Sequence, residues 1–451
     1  MKTHLSSRYK TYALIVLTCT YMVSFLDRIM IGILLQPIKE DLQLSDTQLG
    51  FLTGIAFAVF YATLGIPMAR WADKGNRVTI ASLAIGAWGV MMLMTGFVTS
   101  FFQLLVVRIG AAVGEAGIFP PSFSLLSDYF SGKEQNKAFS IFMLGLSICL
   151  VIGYLIAGWV NQYYGWRMAF IVVAIPGFML SLLIKLTLRE PRKEIDNTNT
   201  PKEVAPPLRE TFRHLWGIPT YRNIVMAYSM VNFVSIGVLQ WCGAFFIRNY
   251  GMETAELGLW FGILGGGAGI GGTLMGGYIF DRFFTGNYHG FLRFTAIGVC
   301  MLFPCMAIMV WVPHKMISLM MLMPIIALGL FIYGPITALW QYLIHGRIRA
   351  VSQAITALVL NLIGMGLGPQ AVGILSDYFN PTMGVSALSL AMVIATSAAF
   401  GAAFFFWRAS NSVDADMASA MKNNKLYEAV GTDQPAEASS SASIILRGEG
   451  T

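Results

Sequence analysis

Charge is what this 451-residue chain has least of: Asp, Glu, Lys and Arg together make up 12% of it, about half the ~25% of an ordinary soluble domain. So thin a supply cannot cover a water-facing surface, which excludes reading the length as about three soluble domains of roughly 150 residues each. Catalytic signatures are missing as well. There is no HExxH helix, no GxSxG elbow and no phosphate-binding loop with its lysine. The five cysteines (Cys19, Cys149, Cys242, Cys300, Cys305) fall inside apolar runs at no metal-ligand spacing, as small buried hydrophobes do. Neither an enzyme, a cofactor, a metal nor a nucleotide-driven pump is expected. Gly267, Gly269 and Gly272 satisfy GxGxxG formally, but they lie in the middle of an apolar run with no strand before them, and close helix packing is the better reading.

What the chain has instead is apolar length. Hydrophobic residues are 56%, with 46 glycines besides, and a span needs about 20 apolar residues to cross a ~30 Å hydrocarbon core. Twelve runs qualify, near 11–36, 47–69, 78–98, 102–127, 138–161, 168–187, 223–248, 255–280, 292–312, 316–344, 351–375 and 384–407. The expected class is an all-α polytopic membrane protein. Twelve spans put both termini on one side. With that side cytoplasmic, 24 of the 30 Lys and Arg fall in inner segments, and only Lys39, Arg167, Arg248 and Lys315 fall in outer ones, as the positive-inside rule requires. Basic loops account for the net charge of +7, so nucleic acid is not an expected partner. No organelle address is evident; a cell membrane, such as a bacterial inner membrane, is the expected location, and a monomer the expected state.

One long polar connection, 188–222, divides the chain into six-span halves, 1–187 and 223–408. Within it Leu208, Phe212, Leu215 and Trp216 recur at helical spacing with Arg209, Arg213 and His214 between them. Two readings fit: an amphipathic helix on the inner leaflet, or a solvated linker packed on the bundle. The remainder, 409–451, is rich in Ser, Ala, Asn and acid and reads as disordered.

Ionisable residues deep in a membrane are costly and normally face a cavity or a partner. Four stand out, all in the first half: Asp27 and Arg28 in span 1, Arg108 and Glu115 in span 4. At ~1.5 Å per residue, Asp27 lies roughly 12 Å and Arg108 roughly 9 Å from the outer surface, so the two can pair across the helices. Glu115, seven positions on, shares a face with Arg108 and sits about 10 Å deeper. Fully ionised, the four sum to zero. If Glu115 takes a proton the set carries a surplus positive charge, which an anionic headgroup on arginine would balance. Glu115 is therefore the expected coupling carboxylate, with Asp27 beside it, and Arg28 and Arg108 the expected anion contacts. The alternative is a fixed salt-bridge network that only locks helix packing.

A weak internal echo accompanies these charges. Ala69-Arg-Trp-Ala-Asp73-Lys74 follows span 2 and Gly277-Tyr-Ile-Phe-Asp281-Arg282 follows span 8, both small-x-x-x-Asp-basic. Two six-helix halves with matching turns resemble the major facilitator superfamily, whose pseudo-symmetric bundles enclose a midplane cavity opening alternately to each side. That resemblance implies a gate latch at Asp73, Lys74 and Arg77 and at Asp281 and Arg282. The Asp27-Arg28 pair and Arg108-x-x-x-x-x-Gly114-Glu115-Ala116, followed by a proline-bearing stretch and Ser127-Asp128-Tyr129, are similar to the spinster-type branch. This implies proton-linked transport of amphipathic lipids with anionic headgroups, such as lysophospholipids or sphingosine phosphate, drawn from membrane lipid. Organic-anion:proton symporters of the superfamily also carry Asp-Arg in span 1, so a carrier of small organic anions or drugs is the alternative. In such a fold spans 7 and 10 line the cavity, which makes Asn232, Gln240, Trp241, Tyr333, Trp340 and Gln341 candidate contacts for an apolar tail. Taken singly, each is at least as well explained by packing.

Overall fold

The computed structural model describes residues 6–191, 208–344 and 349–431. Among them every regular element is helical. Twelve helical segments are long and apolar enough to cross a membrane: Ser7–Leu42, Asp46–Ala72, Arg77–Thr95, Phe101–Tyr129, Glu134–Tyr164, Trp166–Thr187, Pro219–Tyr250, Thr254–Phe283, Tyr288–Trp311, Lys315–Trp340, Ser352–Met383 and Ser386–Lys422. These are spans 1 to 12 below. Side chains such as Phe102 (74% exposed), Leu186 (72%) and Leu274 (68%) stand on the outside. Lipid, not water, tolerates such a surface, and the chain is a polytopic membrane protein.

Local chemistry sets the breaks. Gln43 takes φ 52° and ends span 1, and Ser45 opens span 2 with a reciprocal cap in which its Oγ accepts from the Gln48 N–H and Gln48 Oε1 accepts from the Ser45 N–H. Such a box satisfies two of the helix's orphan donors. Span 1 is itself interrupted at Phe25, so that Asp27 falls in the first turn of its second segment, Leu26–Leu42. Span 11 carries a π-helical stretch, Asn361–Leu367, before Gly368–Met383 resumes. Wide turns of this kind are frequent at functional sites, and Pro369 just after it has no N–H to give the ladder.

The two halves meet at the end of the bundle away from the termini, the far end. There spans 5 and 8 approach at Gly158 and Gly258, where a Cβ on either would collide with the Thr254 or Tyr154 carbonyl oxygen. Small residues let membrane helices close to backbone contact. Gly158→Leu is expected to destabilise this closed arrangement by about 1–3 kcal/mol, the cost of overpacking, read as a lower melting temperature in detergent. At the termini-bearing end the segments Ser7–Ser24, Phe119–Tyr129 and Tyr333–Leu343 pack mainly on neighbours of their own half. Among the described residues the bundle is thus closed at the far end and parted at the near one.

The linker and the tail are each described in part, and the expectation for the tail changes. Between the halves, Leu208–Gly217 is a helix that turns Leu215 and Thr211 inward, leaves Phe212 exposed and stacks Phe212 on Trp216 at 5.2 Å. Residues 192–207 lie outside the described part. The segment from 409, expected to be disordered, instead continues the last helix to Gly431. Its reason is a buried stripe, Ala402, Phe406, Ala409, Val413 and Met417, that carries the core along the end of span 12. Asp416 accepts from the Thr220 N–H at 2.8 Å, so the extension caps span 7. The rest of the tail, 432–451, lies outside the described residues.

Candidate functional site

The break at Phe25 sets Asp27 and Arg28 at the mouth of a half-helix, facing span 4. Asp27 and Arg108 pair at 2.8 Å, both essentially enclosed, and the Trp88 indole N–H points at the other Asp27 oxygen at 3.3 Å. Register matching had brought these two to one level, and the structure joins them. Glu115, placed about 10 Å deeper from the sequence, has a partner of its own. Arg28 donates Nε–H to Oε2 at 2.9 Å and holds Nη2 in ion-pair contact with Oε1 at 2.8 Å, so the four charges form two crossed pairs tying span 1 to span 4. Adjacent residues on a helix diverge by about 100°, which lets Asp27 and Arg28 reach different partners on one neighbouring helix.

Aromatic rings complete the box. The Arg28 guanidinium lies 4.3 Å from the Tyr61 ring centre, 4.5 Å from that of Phe57 and 4.7 Å from that of Phe25, while Arg108 lies 5.0 Å from Phe57. Cation–π contact stabilises a guanidinium taken out of water. Arg28 also donates to the Met365 sulfur at 3.4 Å, so the first half's charges touch the π-helical stretch of the second. Of the four, Arg28 alone retains appreciable side-chain exposure, 16% against 2% or less for the others.

The second half offers a neutral tier. Tyr228 packs edge-on against Trp340 at 5.8 Å and near Tyr333 at 6.4 Å. Tyr333 is 53% exposed and Trp340 5%, with the Trp340 indole N–H buried and unbonded. Gln240 also has a buried, unbonded amide nitrogen where spans 7 and 1 meet at Gly32, and Asn232 turns its amide onto the Tyr228 carbonyl. The Gln341 side chain lies outside what is described. Trp241, expected at the cavity, is fully enclosed and donates to the Pro369 carbonyl at 3.0 Å. It braces span 7 against span 11 and presents no face to a ligand. Tyr228, not singled out from sequence, takes its place; a Tyr among apolar residues carries no signal of its own.

The expected latch residues divide. Arg77 is fully buried and bonds only within the first half: its fork and backbone N–H hold Glu190, and Nη1 reaches Asp128 at 2.6 Å and Ser124 at 2.8 Å. It staples spans 3 and 4 to the chain after span 6 and does not bridge the halves. Asp73 and Lys74 close the helix of span 2, their side chains outside the described part. Asp281 and Arg282 stand exposed at the near end of span 8.

A cross-half latch does exist, at the far end; of its residues sequence reasoning had named only Lys39 and Arg248, and those only to orient the chain. Asp46, 2% exposed, receives both Arg248 Nη1 and Nη2 at 2.7 Å, Lys39 at 2.6 Å and the Ser376 hydroxyl at 2.6 Å. Arg248 Nε donates to Gln36 at 2.6 Å, and Asp377 accepts from the Asp46 and Thr47 N–H groups. Spans 1, 2, 7 and 11 are knotted there. Among the described residues no His, Cys, Asp and Glu group could hold a metal ion.

Residues 17–369 match the family described as Major Facilitator Superfamily. An "MFS-type efflux pump" of Mycolicibacterium smegmatis is 27% identical over 400 residues, 88% of this chain and 91% of that protein. A "Probable L-galactonate transporter" of Escherichia coli is 25% identical over 292 residues, 62% of this chain and 63% of the relative. Among solved structures, a bacterial homolog of the human lysosomal transporter Spinster, inward-facing and unoccupied, superposes with TM-score 0.81 at 28% identity, covering 91% of this chain and 99% of the other.

Proposed function

The chain belongs to the major facilitator superfamily, and on that premise we propose that this transporter moves amphipathic anionic lipids, of lysophospholipid or sphingosine-phosphate type, by proton-coupled alternating access. One observation carries the reading: two crossed ion pairs in the first half, enclosed except at Arg28, and a neutral aromatic cluster of Tyr228, Tyr333 and Trp340 in the second. A charged first half and an apolar second half suit a molecule with a charged head and a greasy tail. As members of a transporter family, such chains carry no catalytic centre.

The pairing supplies the coupling logic. While Glu115 holds Arg28, the guanidinium's fork is occupied and the box is neutral. A proton on Glu115 removes that partner and leaves one uncompensated positive charge, which a phosphate or carboxylate then satisfies in the bidentate geometry arginine favours. Asp27 keeps Arg108 in place throughout, so the box never loses both anchors. Discharge of the proton restores the Arg28–Glu115 fork and expels the anion. Under the same proposal both termini are cytoplasmic, so the parted end faces the cytoplasm, and the carrier works as a monomer in a cell membrane such as a bacterial inner membrane.

A second reading, a carrier of small organic anions or drugs, draws on the efflux-pump and galactonate-transporter relatives. Chain length separates the two. For a lipid carrier, headgroup-only analogues compete poorly with the intact amphiphile; for a small-anion carrier they compete as well as it does. Mass spectrometry of molecules co-purified in detergent is expected to find a phospholipid-derived anion in the native protein and to lose it in Arg28→Ala. A small organic acid in its place decides for the second reading.

A further inference from the structure

On the outer flank of the second half, far from the charged box, spans 9 and 12 flank a shallow, open groove of about 300 Å³. His289 and the Ser410 carbonyl are joined at 2.7 Å, which fixes the level of the two antiparallel helices near the termini-bearing end. One turn deeper on each helix stand Arg293 and Trp407, the guanidinium 4.7 Å from the ring. Arg408, beside Trp407, lies 5.9 Å from the Phe404 ring. From that level the groove runs inward between Ala296 and Cys300 on one side and Phe400, Ala403 and Phe404 on the other, roughly 10 Å at the helical rise.

Two features of this place do not belong to ordinary packing. Neither arginine pairs with a carboxylate among the described residues, and Arg293 Nε is buried with no hydrogen-bond partner. A buried donor left unpaired calls for an explanation. Guanidinium groups carry donors in a fixed fork that matches phosphate. Below them lies an apolar trough whose walls Phe400, Phe404 and Trp407 are 49%, 57% and 45% exposed, open to the bilayer and shaped for a chain.

We propose that this groove binds an anionic phospholipid of the leaflet at the termini-bearing end, its phosphate on Arg293 and Arg408 and one acyl chain along Ala296, Cys300, Phe400 and Ala403. Charge selects the occupant: a neutral lipid or sterol fills the trough but leaves both cations unbalanced. The site is separate from the transport path and anchors spans 9 and 12 to the membrane.

The test uses the full chain in neutral phosphatidylcholine, with phosphatidylglycerol added and retained lipid read by native mass spectrometry alongside the melting temperature. Phosphatidylglycerol is expected to bind in preference to phosphatidylcholine and to raise the melting temperature; inorganic phosphate at equal concentration is expected to do neither. Arg293→Gln with Arg408→Gln should weaken phosphatidylglycerol about fivefold per arginine removed, the contribution of one interfacial basic residue to anionic-lipid attraction. Ala403→Trp, which fills the trough and keeps both arginines, should weaken it too, and it decides the matter alone if the double variant does not fold. Unchanged phosphatidylglycerol binding in Ala403→Trp, or equal retention of phosphatidylcholine, overturns the proposal. A thermal shift with phosphate alone overturns it as well.

Discussion

Glu115→Gln is expected to cut uptake driven by a pH gradient in proteoliposomes by about 100-fold, or ~2.7 kcal/mol, while anion binding survives and loses its dependence on pH. The amide copies the shape of the protonated acid, so Arg28 is released from its fork with Glu115 at every pH. In the native protein, binding should strengthen as the pH falls and Glu115 takes up its proton; in the variant it should hold the strengthened level throughout. Exchange of labelled for unlabelled substrate, which needs no net proton movement, should persist. Glu115→Ala is the harsher change. It leaves a largely buried guanidinium with neither a carboxylate nor an amide, and breaking a buried pair from one side costs about 3–5 kcal/mol. The melting temperature should fall much further in Glu115→Ala than in Glu115→Gln. Uptake that still follows the pH gradient in Glu115→Gln removes the coupling role and returns the four charges to helix packing.

That experiment turns on a pairing which depth estimates did not foresee, and the reason is geometric. Counting residues inward from a span end gives a level in the membrane, and the levels of Asp27 and Arg108 sufficed to predict their bond. It gives no azimuth. Whether Arg28 faces Glu115 depends on how spans 1 and 4 are rotated and on the break at Phe25, neither of which a single apolar run records. Span count and the class of fold were legible because hydrophobic length and loop charge are one-dimensional quantities. Burial among helices is not. Trp241 looked like a cavity aromatic and proved to be a brace on Pro369, because a Trp in an apolar run reads the same from either position. The tail beyond 409 failed for a different reason: small residues and Ser dilute the composition, while the stripe from Ala402 to Met417 still recurs at helical spacing. Arg77 belonged to a motif whose expected partner lay across the seam, yet Glu190 and Asp128 of its own half were nearer.

Asp46→Asn is expected to open the far end. In the native arrangement one carboxylate gathers Arg248, Lys39 and Ser376 from three other helices, and the amide keeps the volume while removing the charge that holds two cations together. Loss of one partner from a buried pair costs about 3–5 kcal/mol, and every 1.4 kcal/mol is tenfold in an equilibrium, so the preference for the closed far end should fall by more than roughly 100-fold. A cysteine placed at Gln240, in a background without the five native cysteines, reports this directly. Gln240 sits in the seam between spans 1 and 7, so a membrane-impermeant thiol reagent added from the far side should label it slowly in the parent and rapidly with Asp46→Asn. The double-mutant cycle with Arg248→Gln separates a latch from a general loss of packing. Residues that act as one latch are not additive: once Asp46 is neutral, removing Arg248 should add little further labelling, and it should relieve the cation left facing Lys39. Strictly additive effects in that cycle would mean that the two side chains stabilise their own helices separately, and that the far end is held by the backbone contact of Gly158 with Gly258 instead.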